Sequence, residues 1–253
     1  MDKNAYDIII QAGQSNSEGC GRGTVEREFK PVEKIMQMNK DFSVGMAKEA
    51  EDAAGKINNF ALSFCEEYIN QGKLKKGRKL LILRTAVCGT GFSDKRWGLK
   101  DDLYLQMTEM IKKSLSLNPS NKLAAFLWHQ GETDASNQAG YEAHYQNIKN
   151  LVGSVRDTFN VPNLPFACGD FAQEWKNTGT KWADGGVDIT EACKSVVNAL
   201  RDFCKNAKNA RFVESDGLLS NHEAGVNDDI IHFSRNALYL FGLRYFNALK
   251  DVI

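Results

Sequence analysis

Apolar positions along the chain follow two alternating patterns: short β-branched runs that stop at glycine, and longer stretches with a helical repeat. Residues 6–12 (Tyr-Asp-Ile-Ile-Ile-Gln-Ala) are the first such run and end at Gly13, as a buried strand does. Further strands are predicted at 79–87, closed by Gly89 and Gly91, and at 123–128, 165–171 and 210–214, with a short one at 34–38. Helical spacing covers 57–71 through Phe60, Phe64, Tyr68 and Ile69, and stops at Gly72. It returns over 102–117 through Leu103, Met107, Met110 and Ile111, and again over 141–159, 189–205 and 234–253. Asn118-Pro119 ends the second of these helices, because the residue before a proline is pushed out of the helical region. Residues 19–44 mix charges with Gly21, Gly23 and Pro31 and predict irregular chain around the short strand.

Strands separated by helices imply a parallel sheet covered on both faces and joined by right-handed crossovers. The expected architecture is a three-layer α/β/α sandwich around a parallel sheet of about five strands, and 253 residues suit one domain spanning 1–253. In such sheets ligands bind beyond the carboxyl ends of the strands. Three polar clusters fall there or in the last loop before the terminal helix: Gly13-Gln14-Ser15-Asn16, Trp128-His129-Gln130-Gly131-Glu132-Thr133-Asp134 and Asp229-Ile230-Ile231-His232.

Charge and composition narrow the picture by exclusion. Lys plus Arg number 32 and so do Asp plus Glu, so no net field draws the chain to nucleic acid or an anionic membrane. The apolar runs are far shorter than the ~20 residues of a membrane helix, and the polar start Met1-Asp2-Lys3-Asn4 is unlike a signal peptide. The six cysteines show no Cys-x-x-Cys pair and no Cys/His zinc spacing, and read as small buried hydrophobes. That reading favours a cytoplasmic protein, or a secreted or periplasmic one if a leader was removed. No metal or other cofactor is expected, although His129, Glu132 and Asp134 lie within six residues, because no second ligand pair accompanies them.

A serine hydroxyl needs an imidazole to take its proton and an anion to hold the ring's tautomer. His232 and Asp229, three residues apart, supply both for Ser15. Each cluster also has a plainer reading: Ser15 and Asn16 as turn and capping residues, Asp229 as a cap, His232 as a surface histidine. Glu132 is an alternative acid for His232, and His222 a rival base. The developing oxyanion calls for preorganised N–H donors, for which the backbone of Ser15, the backbone of Gly89 and the side chain of Gln130 are candidates. Gln14, Asn16, Glu132 and Asp134 are supporting candidates, while Phe92 and Trp97 are aromatic candidates for gripping a sugar or for packing. Gly-x-Ser-x-Gly is not met, because position 17 is serine, and neither a Walker loop nor a dinucleotide fingerprint follows the first strand.

Taken together, Gly13-Gln14-Ser15-Asn16, Gly89-Thr90-Gly91, Gln130-Gly131-Glu132-Thr133-Asp134 and Asp229-Ile230-Ile231-His232-Phe233-Ser234 resemble the sequence blocks of the SGNH hydrolase superfamily. The similarity is to its carbohydrate O-acetylesterase branch, which includes sialate O-acetylesterases and acetylxylan esterases. It implies a flavodoxin-like sandwich, a Ser15–His232–Asp229 triad, and metal-free hydrolysis of an acetyl ester through an acetyl-enzyme. It also puts Gln130 where the wider superfamily has asparagine. Arg96-Trp97-Gly98, residues 115–122 and Cys168-Gly169-Asp170 resemble bacterial sialate O-acetylesterases, so an O-acetylated sialic acid is the expected substrate. An acetylated xylo-oligosaccharide, a carbohydrate acetyltransferase and a catalytically silent carbohydrate-binding protein are the alternatives. Cys88-Gly89-Thr90-Gly91 departs from the family's double-glycine form.

Overall fold

In a computed structural model, which describes residues 4–178 and 188–253, the first buried run becomes β1 (Ala5–Gly13) at the centre of a sheet. On one side of it lie β6 (Arg78–Arg84) and then β2 (Ile35–Met38), and on the other β7 (Lys122–His129), β8 (Phe166–Gly169) and β9 (Ala210–Val213). These six strands are parallel. A seventh, β3 (Val44–Met46), pairs antiparallel with β2 at the edge. The sheet is therefore wider than the expected five strands, and mixed. β3 is only three residues long and its apolar Val44 and Met46 are both exposed, and the hairpin of β4 (Ala50–Asp52) and β5 (Gly55–Ile57) has no fully buried residue to mark it either.

Side chains alternate across β1. Ile8 and Ile10 pack under α3 (Asp102–Ser116), α5 (Tyr141–Thr158) and α7 (Thr190–Asn206). Ile9 packs on the opposite face under α2 (Phe60–Asn70) and α8 (Arg235–Leu249). Full burial of each such side chain contributes roughly 2 kcal/mol, so a one-residue slip of β1 would forfeit both layers. The close approach of α2 and α8 rests on Gly242, where a Cβ would stand 2.0 Å from Ser63 Oγ and 2.1 Å from the Phe60 carbonyl oxygen.

Several boundaries differ from the periodicity for local reasons. α2 begins at Phe60 rather than 57, because Ile57 closes β5 and Asn59 caps the helix by accepting the Ala61 N–H at 3.2 Å. β6 stops at Arg84 because Val87 turns its N–H to the Gly13 carbonyl, carrying the chain across the end of β1. α8 starts after Ser234, whose side chain accepts from Ala237 N–H, and ends at Leu249. No helix among the described residues is long and apolar enough to cross a membrane.

From β1 the chain builds one half of the sheet (β2, β6) and then crosses to build the other (β7, β8, β9). That reversal places a topological switch point beyond the carboxyl end of β1, where the parallel strands leave a crevice.

Candidate active site

Gly13 sets the geometry at the end of β1. It pairs with His129 at the end of β7 and has φ +120°, and a Cβ there would lie 2.0 Å from the His129 carbonyl oxygen. Only glycine allows this approach. The chain then turns into α1 (Ser15–Glu18), anchored by Gln14 N–H on His129 O at 2.8 Å and by Ser17 and Glu18 N–H on Gln14 O. Ser15 stands at the first position of this turn, where a backbone N–H has no acceptor within the helix.

The histidine arrives from the other end of the chain. Asp229 Oδ1 accepts the N–H groups of Ile231 and His232 at 3.2 and 3.1 Å, which folds the segment into a tight turn. Its Oδ2 lies 2.8 Å from His232 Nδ1 and accepts Asn221 Nδ2 at 3.1 Å. Burial of the ring works against its protonation. The hydrogen bond to Asp229 and the charges of Cys20, Asp229 and Glu132 outweigh burial, so His232 titrates above its ordinary value. For Asp229, burial again opposes charge, but the His232 hydrogen bond and charge prevail and hold the carboxyl below the usual range.

Asn16 joins the two halves. Its Oδ1 accepts the Phe233 N–H at 3.0 Å, while its Nδ2 donates to Ile231 O at 3.2 Å and to Glu132 Oε1 at 2.9 Å. Ser15 and His232 consequently face one cavity of about 330 Å³, walled also by Gln14, Cys88, Gly89 and Glu132, with Thr133, Ser136 and Ile231 completing it. Gly89 has φ +67°, which brings its main chain to the cavity wall.

Gln130 does not reach this cavity. It is fully buried, and its Nε2 donates to Asp134 Oδ2 at 3.2 Å and to Gln14 Oε1 at 3.4 Å. Of the two glutamines, it is Gln14 that lines the cavity. Its Oε1 accepts the backbone N–H groups of Thr133 at 3.1 Å and Gly131 at 3.4 Å. Backbone N–H groups only donate, so they fix which end is oxygen and leave Gln14 Nε2 as the end free to donate, on a residue that lines the cavity. The motif Gly-Gln-Ser-Asn carried this donor one residue before the serine.

The aromatic candidates for sugar contact are also corrected. Trp97 is fully buried, donates to Thr90 Oγ1 at 3.0 Å and packs edge-on against Trp128. Phe92 packs between Trp128 and His144. Both serve the core beneath α3 and α5, and neither lines the cavity.

Glu132 stands in the cavity wall but does not hold His232. Its Oε1 lies 3.1 Å from His129 Nε2. Asp134 accepts Ser93 N–H at 2.8 Å and Phe92 N–H at 3.3 Å, and lies 3.1 Å from His144 Nδ1, which pins the loop after Gly89. His222 is exposed and engages Glu174 at 2.6 Å. Among the described residues, no group of three or more His, Cys, Asp or Glu side chains is placed to hold a metal ion.

The cavity residues that sequence reasoning missed are neighbours of its motifs: Thr133 inside the third block, Ile231 inside the last, Cys88 just before Gly89, and Ser136 one turn along α4 (Glu132–Ser136). The cysteines divide. Cys65, Cys168, Cys193 and Cys204 are buried as expected, but Cys88 is exposed and Cys20 half-buried, with their Sγ atoms 3.7 Å apart as free thiols beside the cavity. The hydrogen bond with Cys88 draws the Cys20 thiol below its ordinary value.

With this geometry in place, comparison with known proteins adds an independent line. A family model described as "Carbohydrate esterase, sialic acid-specific acetylesterase" matches residues 5–251. An Escherichia coli (strain K12) protein named "Probable 9-O-acetyl-N-acetylneuraminic acid deacetylase" is 30% identical over 224 residues, covering 68% of each chain. The crystal structure of NanS superposes with a TM-score of 0.81 at 18% identity, covering 99% of this chain and 98% of that one. A protein structure from Arabidopsis thaliana gives 0.75 at 20% identity, covering 98% of both chains. At these identities the two structures establish a shared fold.

Proposed function

Because the chain belongs to the sialic acid-specific acetylesterase family of carbohydrate esterases, and is on that ground a carboxylic ester hydrolase, we propose that it removes O-acetyl groups from an O-acetylated sialic acid, with Ser15 as nucleophile. The observation that carries this reading is the shared cavity. Ser15 and His232 wall the same space, and Asp229 holds His232 Nδ1 at 2.8 Å.

With Nδ1–H donated to Asp229, the ring's Nε2 is the free acceptor. It takes the Ser15 proton as Oγ attacks the acetyl carbonyl. Negative charge collects on the carbonyl oxygen, met by the N–H groups of Ser15 and Gly89 and by Gln14 Nε2. Collapse of this adduct breaks the bond to the sugar oxygen, which receives the proton from His232, and leaves acetyl-Ser15. Water then gives a proton to His232 and its oxygen to the acetyl carbon. Departure of Ser15 Oγ, reprotonated by His232, releases acetate. Asp229 stabilises the imidazolium in both halves of the cycle without itself taking the proton.

Support for sialic acid as the sugar comes from the description of the matching family and the name of the E. coli relative. The test is acetate release across a panel of O-acetylated sialic acids, acetylated xylo-oligosaccharides and acetylated monosaccharides. Preference for the sialic acids is expected. Preference for the xylan set overturns the choice of sugar, and acetyl transfer to an added sugar acceptor in place of acetate release overturns hydrolysis.

A further inference from the structure

A second cavity, of about 210 Å³, opens on the same edge of the sheet, lined by Gln11, Glu18, Asn39, Lys40, Arg84 and Ala86. Gln11 and Arg84 are register partners at the carboxyl ends of β1 and β6, and Asn39 follows the end of β2. This cavity shares a wall with the one containing Ser15. Glu18, one helical turn and ~5 Å along α1 from Ser15, accepts at Oε2 the N–H of Cys88, which lines the Ser15 cavity.

The charges in this second cavity do not balance. Glu18 is met by Lys40 at 3.3 Å and by Cys88 N–H at 2.7 Å. Arg84, half-buried, makes one hydrogen bond, from Nη2 to the Glu18 carbonyl oxygen at 2.9 Å; the Glu18 charge acts on it, but no carboxylate among the described residues pairs with it directly. A guanidinium carries five N–H donors in a planar fork suited to a carboxylate, so most of its capacity is unused while it is drawn out of water. Gln11 adds an unused acceptor. Its Nε2 donates to Asn59 Oδ1 at 3.1 Å and to Ser17 O, and its buried Oε1 has no partner.

We propose that this cavity is a carboxylate subsite, in which Arg84, assisted by Lys40, binds the acid group of the same sugar whose acetyl ester sits at Ser15. The proposal rests on the deacetylase reading above and extends it. A sialic acid carries its carboxylate on a carbon that also bears a hydroxyl, and an acetyl ester at the other end of its carbon chain lies far from that carboxylate. The carboxylate matches the Arg84 fork and the hydroxyl matches Gln11 Oε1, while the ester reaches past the Glu18–Cys88 wall. Neutral acetylated sugars offer Arg84 no carboxylate, so this cavity gives the enzyme a preference for acidic sugars.

The test compares kcat/KM for 9-O-acetyl-N-acetylneuraminic acid with that for its neutral methyl ester, in wild type, Arg84→Gln and Lys40→Met. Thermal melting monitors the fold. Wild type should favour the acid by on the order of tenfold or more, the worth of hydrogen bonds to a charged group. Arg84→Gln should bring the ratio close to one, chiefly through KM on the acid, and Lys40→Met should lower it partway. If Arg84→Gln fails to fold, Lys40→Met, altered at a partly exposed side chain, still decides.

No preference in wild type, or the same ratio in all three proteins, overturns the subsite. If aryl acetate is hydrolysed but no sialic acid ester is, the deacetylase reading falls by itself. The subsite is then decided by inhibition of aryl acetate hydrolysis. Inhibition by N-acetylneuraminic acid but not its methyl ester, lost in Arg84→Gln, supports it, and equal inhibition by both overturns it.

Discussion

His232 Nδ1 stands 2.8 Å from Asp229 Oδ2, and the other oxygen of the same carboxylate holds the backbone N–H groups of Ile231 and His232. One side chain thus fixes both the path of the loop and the tautomer of the ring. The consequence is a pH signature. In the proposed mechanism His232 must be neutral to accept the Ser15 proton, and it titrates above its ordinary value of 6.5 despite burial. Activity therefore falls as pH drops through a value above 6.5, and the acid limb of kcat/KM on an aryl acetate should lie there. Asp229→Asn removes the partner that favours the charged ring, so the limb should move to lower pH while kcat drops by on the order of 10⁴. A wild-type limb at or below 6.5 would count against this coupling.

Gln14 and Gln130 make opposite predictions although their side chains touch. Gln14 lines the cavity, whereas Gln130 Nε2 is spent on Gln14 and Asp134. Gln14→Ala should lower kcat by about 10²–10³ with little change in KM, as loss of one oxyanion donor does. Gln130→Ala leaves Gln14 Oε1 its two backbone donors and should cost less. A larger loss of kcat in the Gln130 variant would return the oxyanion role to Gln130.

Ser15→Ala removes the proposed nucleophile and nothing structural. Asn16 supplies the hydrogen bonds that tie α1 to the His232 loop, so the fold should survive. kcat should fall by on the order of 10⁴ or more with the melting temperature close to wild type. Near wild-type turnover of an aryl acetate would exclude Ser15 as nucleophile.

The sheet was legible wherever burial imposed a period. Ile8, Ile9 and Ile10 announce β1, and the helices over 102–117 and 141–159 were visible from their apolar stripes because each packs one face on the sheet. β3, β4 and β5 left no such trace, since their side chains are largely exposed and their pairing rests on the main chain. In the site, clusters following a strand end revealed which segments meet but not which way each side chain points. Gln14 and Gln130 are both glutamines just past a buried strand. Only the packing of Gly131 and Thr133 N–H groups on Gln14 separates their roles. Trp97 and Phe92 failed for a related reason: aromatic residues in a loop after a glycine block are equally suited to a sugar and to the core, and here Trp128 claims both.

Glu132 offers a test of stability rather than rate. It is almost completely buried, with Oε1 near His129 Nε2 at 3.1 Å and accepting Asn16 Nδ2 at 2.9 Å. Burial raises its pKa, but the charge and hydrogen bond of His129 and the hydrogen bond of Asn16 prevail and hold it below the ordinary 4.5. A carboxyl depressed in the folded state contributes stability that is present above its unfolded pKa and lost as pH falls through the folded one. Glu132→Ala, which strands two buried donors, should cost ~2 kcal/mol at neutral pH, or a fall of about 4–8 °C in melting temperature for a chain of this size. Glu132→Gln keeps a hydrogen-bonding side chain but cannot ionise. In urea titrations across a pH series, its deficit against wild type should be largest above 4.5 and shrink as the solution is acidified below that value. A deficit that stays constant through this range would mean that the Glu132 charge contributes nothing to holding Asn16, and with it the turn that carries Ser15, in place.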